Sequence, residues 1–153
     1  MYHIPSSSGD PDGPEQIGAF RDYLERCRGS APIAPRSAFD PIDVPRLLAR
    51  IFLLDVLDGG ADFRYRLTGA LIREHAPIDL TGRRLSEIAA IGSQAALLPL
   101  YRRAVAEAAL VADRIPYRTP DLAADSHFDV AVAPLADSDG RLFQLIGVTV
   151  YAD

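Results

Sequence analysis

The sequence predicts an α+β domain built on a five-stranded antiparallel sheet. Two observations carry this. Segments with period-two alternation fall into two groups, 51–67 and 114–151, and segments with helical spacing lie before and between them. Two strands, then helices, then three strands give an antiparallel sheet with helices on one face, preceded by an N-terminal helix. A chain of 153 residues with 48% apolar and 24% charged residues suits one domain with a full core.

Residues 1–13 are polar and rich in Ser, Pro and Gly, so we expect a flexible arm rather than a secretory signal. An N-terminal helix follows over 14–30, with Pro14 suited to its first turn and Gly29 to its end. Ile17, Phe20, Leu24 and Cys27 recur on it at spacings of three and four, giving one apolar stripe. That stripe packs either on its own domain or on a second copy, and we expect a homodimer through this helix.

The main domain then runs over 31–153. Pro32 and Pro35 make Ala31–Ser37 extended. Asp40-Pro41 is a cap-and-start pair for a single turn, and a second short helix runs from Pro45 to Ala49. Ile51–Leu57 is an apolar strand broken only by Asp55, and Asp58–Ala61 supplies the turn. In the next strand Phe63, Tyr65 and Leu67 form a buried face, and Arg64 and Arg66 a wet one. Ala70–His75 makes a short helix before Pro77. Thr81-Gly82-Arg83 is a turn, Leu85–Ala90 another short helix, and Ser93–Ala109 the longest helix after the first, with Leu97, Tyr101, Val105 and Ala108 on one side. Pro116 makes Arg114–Thr119 an edge strand. A loop over Pro120–Ser126 leads to a strand with Phe128, Val130 and Val132 on one face. Asp137–Gly140 is a hairpin turn rather than a calcium loop, and Leu142–Tyr151 is a central strand buried on both sides.

A net charge of −5 argues against a surface built to neutralise phosphates, so no nucleic acid is expected. No uncharged apolar stretch reaches the roughly 20 residues a bilayer span requires. Cys27 is the single cysteine, which points to a reducing cytoplasm. His3, His75 and His127 fit no metal-ligand spacing, and there is no glycine-rich phosphate loop or nucleophile elbow.

The motifs are more specific than the element order. Arg36, Phe39-Asp40-Pro41, Pro45 and Leu47-Leu48 precede the strand Phe52–Val56; Phe63–Gly69 and Leu80–Arg83 follow. Together they resemble a bacterial family of short, mostly single-domain PAS proteins. The resemblance implies a sheet order of 2-1-5-4-3, a pocket between sheet and helices, and frequent dimerisation. It also implies a sensor or interaction role in signalling. No kinase, cyclase or DNA-binding segment is present in the sequence, so output is expected on another chain. Photoactive flavin-binding relatives carry a reactive cysteine in a set motif, and Cys27 lies outside that context. Heme-binding relatives often use a histidine on the long helix, and Ser93–Ala109 has none. No cofactor is therefore expected.

The candidate ligand-binding residues are Tyr65, His75, Tyr101 and Gln144: two hydroxyls, an imidazole and an amide in an otherwise apolar wall. The leading expectation is a non-enzymatic cytoplasmic sensor or interaction module, binding a small organic molecule or a signalling protein. One alternative is a cone-shaped α+β enzyme of the ketosteroid-isomerase type, with a pocket tyrosine and Asp55 as proton-transfer base. Another is a domain of the same fold with a filled core that only mediates association.

Overall fold

The computed structural model describes residues 12–117 and 126–152; the expected arm, up to residue 11, and most of the loop after Thr119 lie outside them. Helix α1 spans Asp12–Arg28, and a two-residue strand β1 spans Ala34–Pro35. Three 3-10 turns follow, Arg36–Ala38, Pro41–Asp43 and Leu48–Arg50. Strands β2 (Ile51–Leu57) and β3 (Asp62–Thr68) form the first hairpin. Helices α2 (Ala70–His75), α3 (Leu85–Ile88) and α4 (Gln94–Glu107) separate it from β4 (Val111–Tyr117), β5 (Ser126–Ala136) and β6 (Leu142–Tyr151).

The five long strands lie in the order β3-β2-β6-β5-β4, each antiparallel to its neighbour. Numbered among themselves, this is the expected 2-1-5-4-3. The sheet departs from the expectation at β1, which adds a sixth, parallel strand: Ala34 pairs with Leu135 and Pro35 with Ala136, beyond the stretch of β5 that β4 occupies. The segment expected to be extended to Ser37 therefore breaks into a 3-10 turn at Arg36.

Side-chain parity divides the sheet into two cores. Phe52, Leu54, Phe63, Tyr65, Phe128, Val130 and Leu145 face α2, α3 and α4. Ile51, Leu53, Ala131, Leu135, Ile146 and Val148 face α1 on the other side. The stripe of α1 is used here. Ile17 and Phe20 are each 1% exposed, packed in this second core. Of the two expected uses of the stripe, packing on its own domain is the one seen, so the stripe no longer argues for a homodimer through this helix.

The segment between β1 and β2 latches α1 down. The Tyr23 hydroxyl accepts from the Asp40 backbone N–H (2.9 Å) and donates to Asp43 Oδ2 (3.1 Å), and its ring meets Phe39 edge-on at 5.8 Å. Arg36 lies over the Phe39 ring at 5.6 Å. Asp40 caps the turn after it by accepting from Ile42 N–H at 3.0 Å.

Two glycines mark close approaches. A Cβ at Gly69 would lie 2.4 Å from the Ala49 carbonyl oxygen, and one at Gly147 would lie 2.1 Å from Phe52 Cζ. The expected alternation along β3 fails at its end. A bulge places Tyr65 opposite Leu54 and Leu67 opposite Leu53, so Arg66 is the extra residue. Leu67 thereby leaves the face of Phe63 and Tyr65, joins the outer side, and is 48% exposed.

Candidate functional site

A cavity of about 640 Å³ lies between the inner sheet face and the helices. Phe52, Tyr65, Phe128 and Thr149 line it from the strands; Ile72, Gln94, Leu97 and Tyr101 line it from α2 and α4. Among the described lining residues none is Lys, Arg, Asp or Glu.

Three side chains form one polar group in this wall. The Tyr65 hydroxyl donates to Gln94 Oε1 at 2.8 Å and lies 3.1 Å from the Tyr101 hydroxyl. β3 supplies Tyr65 through its inward parity, and α4 supplies the other two from positions seven apart, two helical turns. Phe52 and Phe63 hold the Tyr101 ring, with centroids at 5.9 and 5.6 Å. Burial pushes the Tyr65 hydroxyl up to about 12, although its hydrogen bonds to Tyr101 and Gln94 act the other way. Burial, and then the neighbouring Tyr65, drive Tyr101 well above the ordinary tyrosine value. Both are neutral donors at neutral pH, so the group offers uncharged hydrogen bonding only.

His75 lines the same cavity from an exposed position at its rim. Its ring stacks on Tyr151 with centroids 3.7 Å apart and planes 6° from parallel. Nδ1 lies 3.0 Å from the Leu71 carbonyl oxygen, which can only accept, so Nδ1 carries the proton. His75 thus also closes the C-terminal end of α2, the capping role its position suggests.

Gln144 is not at this cavity. It shares its parity along β6 with Ile146 and Val148, which face α1. Its Nε2 donates to Asp55 Oδ1 at 3.0 Å, directly across from it in the β2–β6 register. Arg66 Nε also donates to that oxygen at 3.3 Å, and Arg66 Nη2 and Arg64 Nε reach Asp55 Oδ2 at 3.1 and 3.6 Å. Those last two contacts are ion pairs without hydrogen-bond geometry, because Oδ2 has no hydrogen-bond partner. The geometry separates Asp55 from Tyr65 and Tyr101 by the full thickness of the sheet, so they form no proton-transfer pair. Cys27 is also remote from the cavity: it packs against the outer core and donates to the Ala38 carbonyl at 3.4 Å.

Two cavity residues escaped the sequence reading. Gln94 stands three before Leu97 and seven before Tyr101, so extending that stripe back one turn would have found it. Thr149 stands two before Tyr151 and four after Leu145 on the inward parity of β6.

Comparison with known proteins decides the family. The family model described as PAS domain matches residues 14–150. The chain belongs to the PAS domain family. Solved structures agree on the fold. The PAS domain from Bordetella pertussis BvgS is similar, with a TM-score of 0.52 and 14% identity over 73% of this chain and 82% of that one. The photo-excited blue-light photoreceptor Vivid gives 0.52 and 12% over 85% and 92%. A light-oxygen-voltage domain from a flavin-analogue study gives 0.50 and 11% over 73% and 83%. No curated protein matches the chain. No described helix of this PAS domain is long and apolar enough to cross a membrane.

Proposed function

We propose that this PAS domain is a non-enzymatic signalling sensor that takes a small organic molecule into the cavity between its sheet and helices. The observation that carries the reading is a cavity of about 640 Å³ whose apolar wall holds one convergent polar group, Tyr65–Gln94–Tyr101. A filled core would favour the association-only alternative, and a carboxylate in the cavity would favour proton transfer. Neither condition is met among the described lining residues. A cytoplasmic setting and output on another chain complete the reading. Contact with a second copy or a signalling partner would use surfaces other than the stripe of α1, whose outward residues Glu15, Ala19, Asp22 and Arg26 are exposed and mostly charged.

The test is a thermal-shift screen of small metabolites on the full chain, repeated with Tyr65→Phe. A ligand at a hundred times its Kd stabilises by about 2.7 kcal/mol. Expected are hits whose shift falls in the variant; a screen without a single stabilising compound would sink the sensor reading.

A further inference from the structure

The hydrogen-bond directions in the cavity define the ligand further. A tyrosine has one hydroxyl proton. Tyr65 gives its proton to Gln94 Oε1, so in the 3.1 Å contact between the tyrosines Tyr101 must be the donor. The chain of bonds therefore runs Tyr101 to Tyr65 to Gln94 and ends on the amide oxygen. Both protons of Gln94 Nε2 are left over, and among the described residues nothing accepts them. Gln94 is only 8% exposed and lines the cavity. That amide nitrogen is not among the fully enclosed polar atoms: it opens to the cavity, where a ligand acceptor can reach it. Its position in the first turn of α4 holds it against the cavity.

The remaining wall narrows the chemistry. Phe52, Phe128 and Tyr151 present ring surface, which suits a planar apolar body. With no Lys or Arg in the described lining, only His75 at the rim is left to compensate an anion. Thr149 adds one hydroxyl with no hydrogen bond among the described residues.

We propose, building on the ligand-sensor reading, that the cavity selects an uncharged aromatic or polycyclic molecule bearing a carbonyl-type acceptor, and that Gln94 Nε2 donates to that oxygen. Gln94 is thus the specificity-determining residue, with Tyr65 and Tyr101 fixing the amide so that its donor side faces the cavity.

Three naphthalenes of similar shape test this: 2-acetylnaphthalene, 2-ethylnaphthalene without the oxygen, and 2-naphthoate with a charge. Each is titrated into the full chain and its Kd measured by calorimetry. The expected result is that the ketone binds about tenfold tighter than either analogue, the equivalent of one net hydrogen bond. Gln94→Leu should erase that preference by weakening the ketone, with 2-ethylnaphthalene held no less tightly. Gln94→Met serves the same purpose if the leucine variant folds poorly, and if neither folds the wild-type ranking decides. Equal binding of ketone and hydrocarbon by the wild type would overturn the acceptor claim while leaving an apolar ligand pocket in place. Tightest binding of the naphthoate would overturn the claim of an uncharged ligand. Failure of all three to bind would overturn both this proposal and the ligand reading beneath it.

Discussion

On the outer face of the sheet, beside α1, the polar side chains are mostly charged and are held by ion pairs. Asp55 is held by Arg64, Arg66 and Gln144 near one edge, and Asp129 accepts from Arg114 Nε at 2.9 Å and Nη2 at 3.3 Å near the other. On the inner face the polar side chains are hydroxyls and an amide, and one donor is unspent. The two groups lie on opposite sides of one sheet and are similarly buried: Asp55 and Gln94 are each 8% exposed. Both leave polar atoms without hydrogen bonds, Asp55 Oδ2 and Gln144 Oε1 on the outer face and Gln94 Nε2 on the inner, so the difference lies in what surrounds them. The outer group pairs charge with charge and is flanked by the packed core under α1, as a structural element is. The inner group carries no charge and borders empty space, as a recognition element does.

The largest effect should come where the inner face has no room to spare. Gly147 and Thr149 are neighbours on β6, one under the Phe52 ring and the other at the cavity. Gly147→Ala should cost about 3 kcal/mol, the upper end of the usual overpacking range. That corresponds to a fall in Tm of about 6–12 °C for a chain of this size. Thr149→Val, which removes no hydrogen bond made among the described residues, should stay within about 0.5 kcal/mol. Equal losses in the two variants would mean that the cavity is not open beside Thr149.

Next is the exchange of roles between the two polar groups. Asp55→Ala strands the buried Gln144 amide and both arginines, and should cost about 1–3 kcal/mol in chemical denaturation. It should leave ligand Kd values alone. Gln94→Leu should do the reverse, changing ligand Kd values at a stability cost of about 1 kcal/mol, because the Tyr65 hydroxyl loses one bond and keeps Tyr101 as a partner. The comparison breaks if Asp55→Ala changes ligand affinity and Gln94→Leu does not.

The pH limits of stability should divide in the same way. Tyr65 has a raised value in the fold, so its contribution is full below the unfolded tyrosine value near 10 and is lost as pH rises through about 12; Tyr101, also raised, acts in the same sense. Asp62 works in the opposite sense. Burial alone would raise it, but hydrogen bonds from Ser86 and from the Phe63 and Ser86 backbone, with Arg84 nearby, leave it lowered. Its contribution is present above the unfolded Asp value of about 3.9 and is lost as pH falls through its lower folded value. Tyr65→Phe should flatten the alkaline limb of a stability–pH curve and Asp62→Asn the acid limb; a variant that moves the wrong limb contradicts the assignment.

The smallest effect is expected at Leu67. Regular alternation would bury it, and a charge there would be costly. With the bulge at Arg66, Leu67→Lys should change stability by no more than about 0.5 kcal/mol by urea titration.

What could be read from the sequence tracks where one face is apolar and the other polar. Phe63 and Tyr65 alternate with two arginines, so their inward direction follows from period two alone. Tyr101 sits in a helical stripe and is equally legible. β6 is apolar on both faces, so nothing in its own sequence says which parity meets the cavity. Gln144 was assigned to the cavity and Thr149 was not; the register with β2, which places Gln144 opposite Asp55, reverses both. The bulge at Arg66 likewise arises from pairing with β2, and β1 is a strand only because the end of β5 is free to accept it. The α1 stripe was legible as a stripe, but which surface buries it depends on how the outer sheet face is covered.

The most direct test compares the two glutamine amides by NMR. Gln16, Gln94 and Gln144 are the glutamines of the chain, and it has no asparagine, so the side-chain amide region is sparse and Gln94→Leu and Gln144→Leu assign it. On addition of 2-acetylnaphthalene the Gln94 Nε2 resonances should shift with the dose while those of Gln144, held by Asp55 on the far face, stay in place. Movement of the Gln144 pair with a still Gln94 pair would contradict the account.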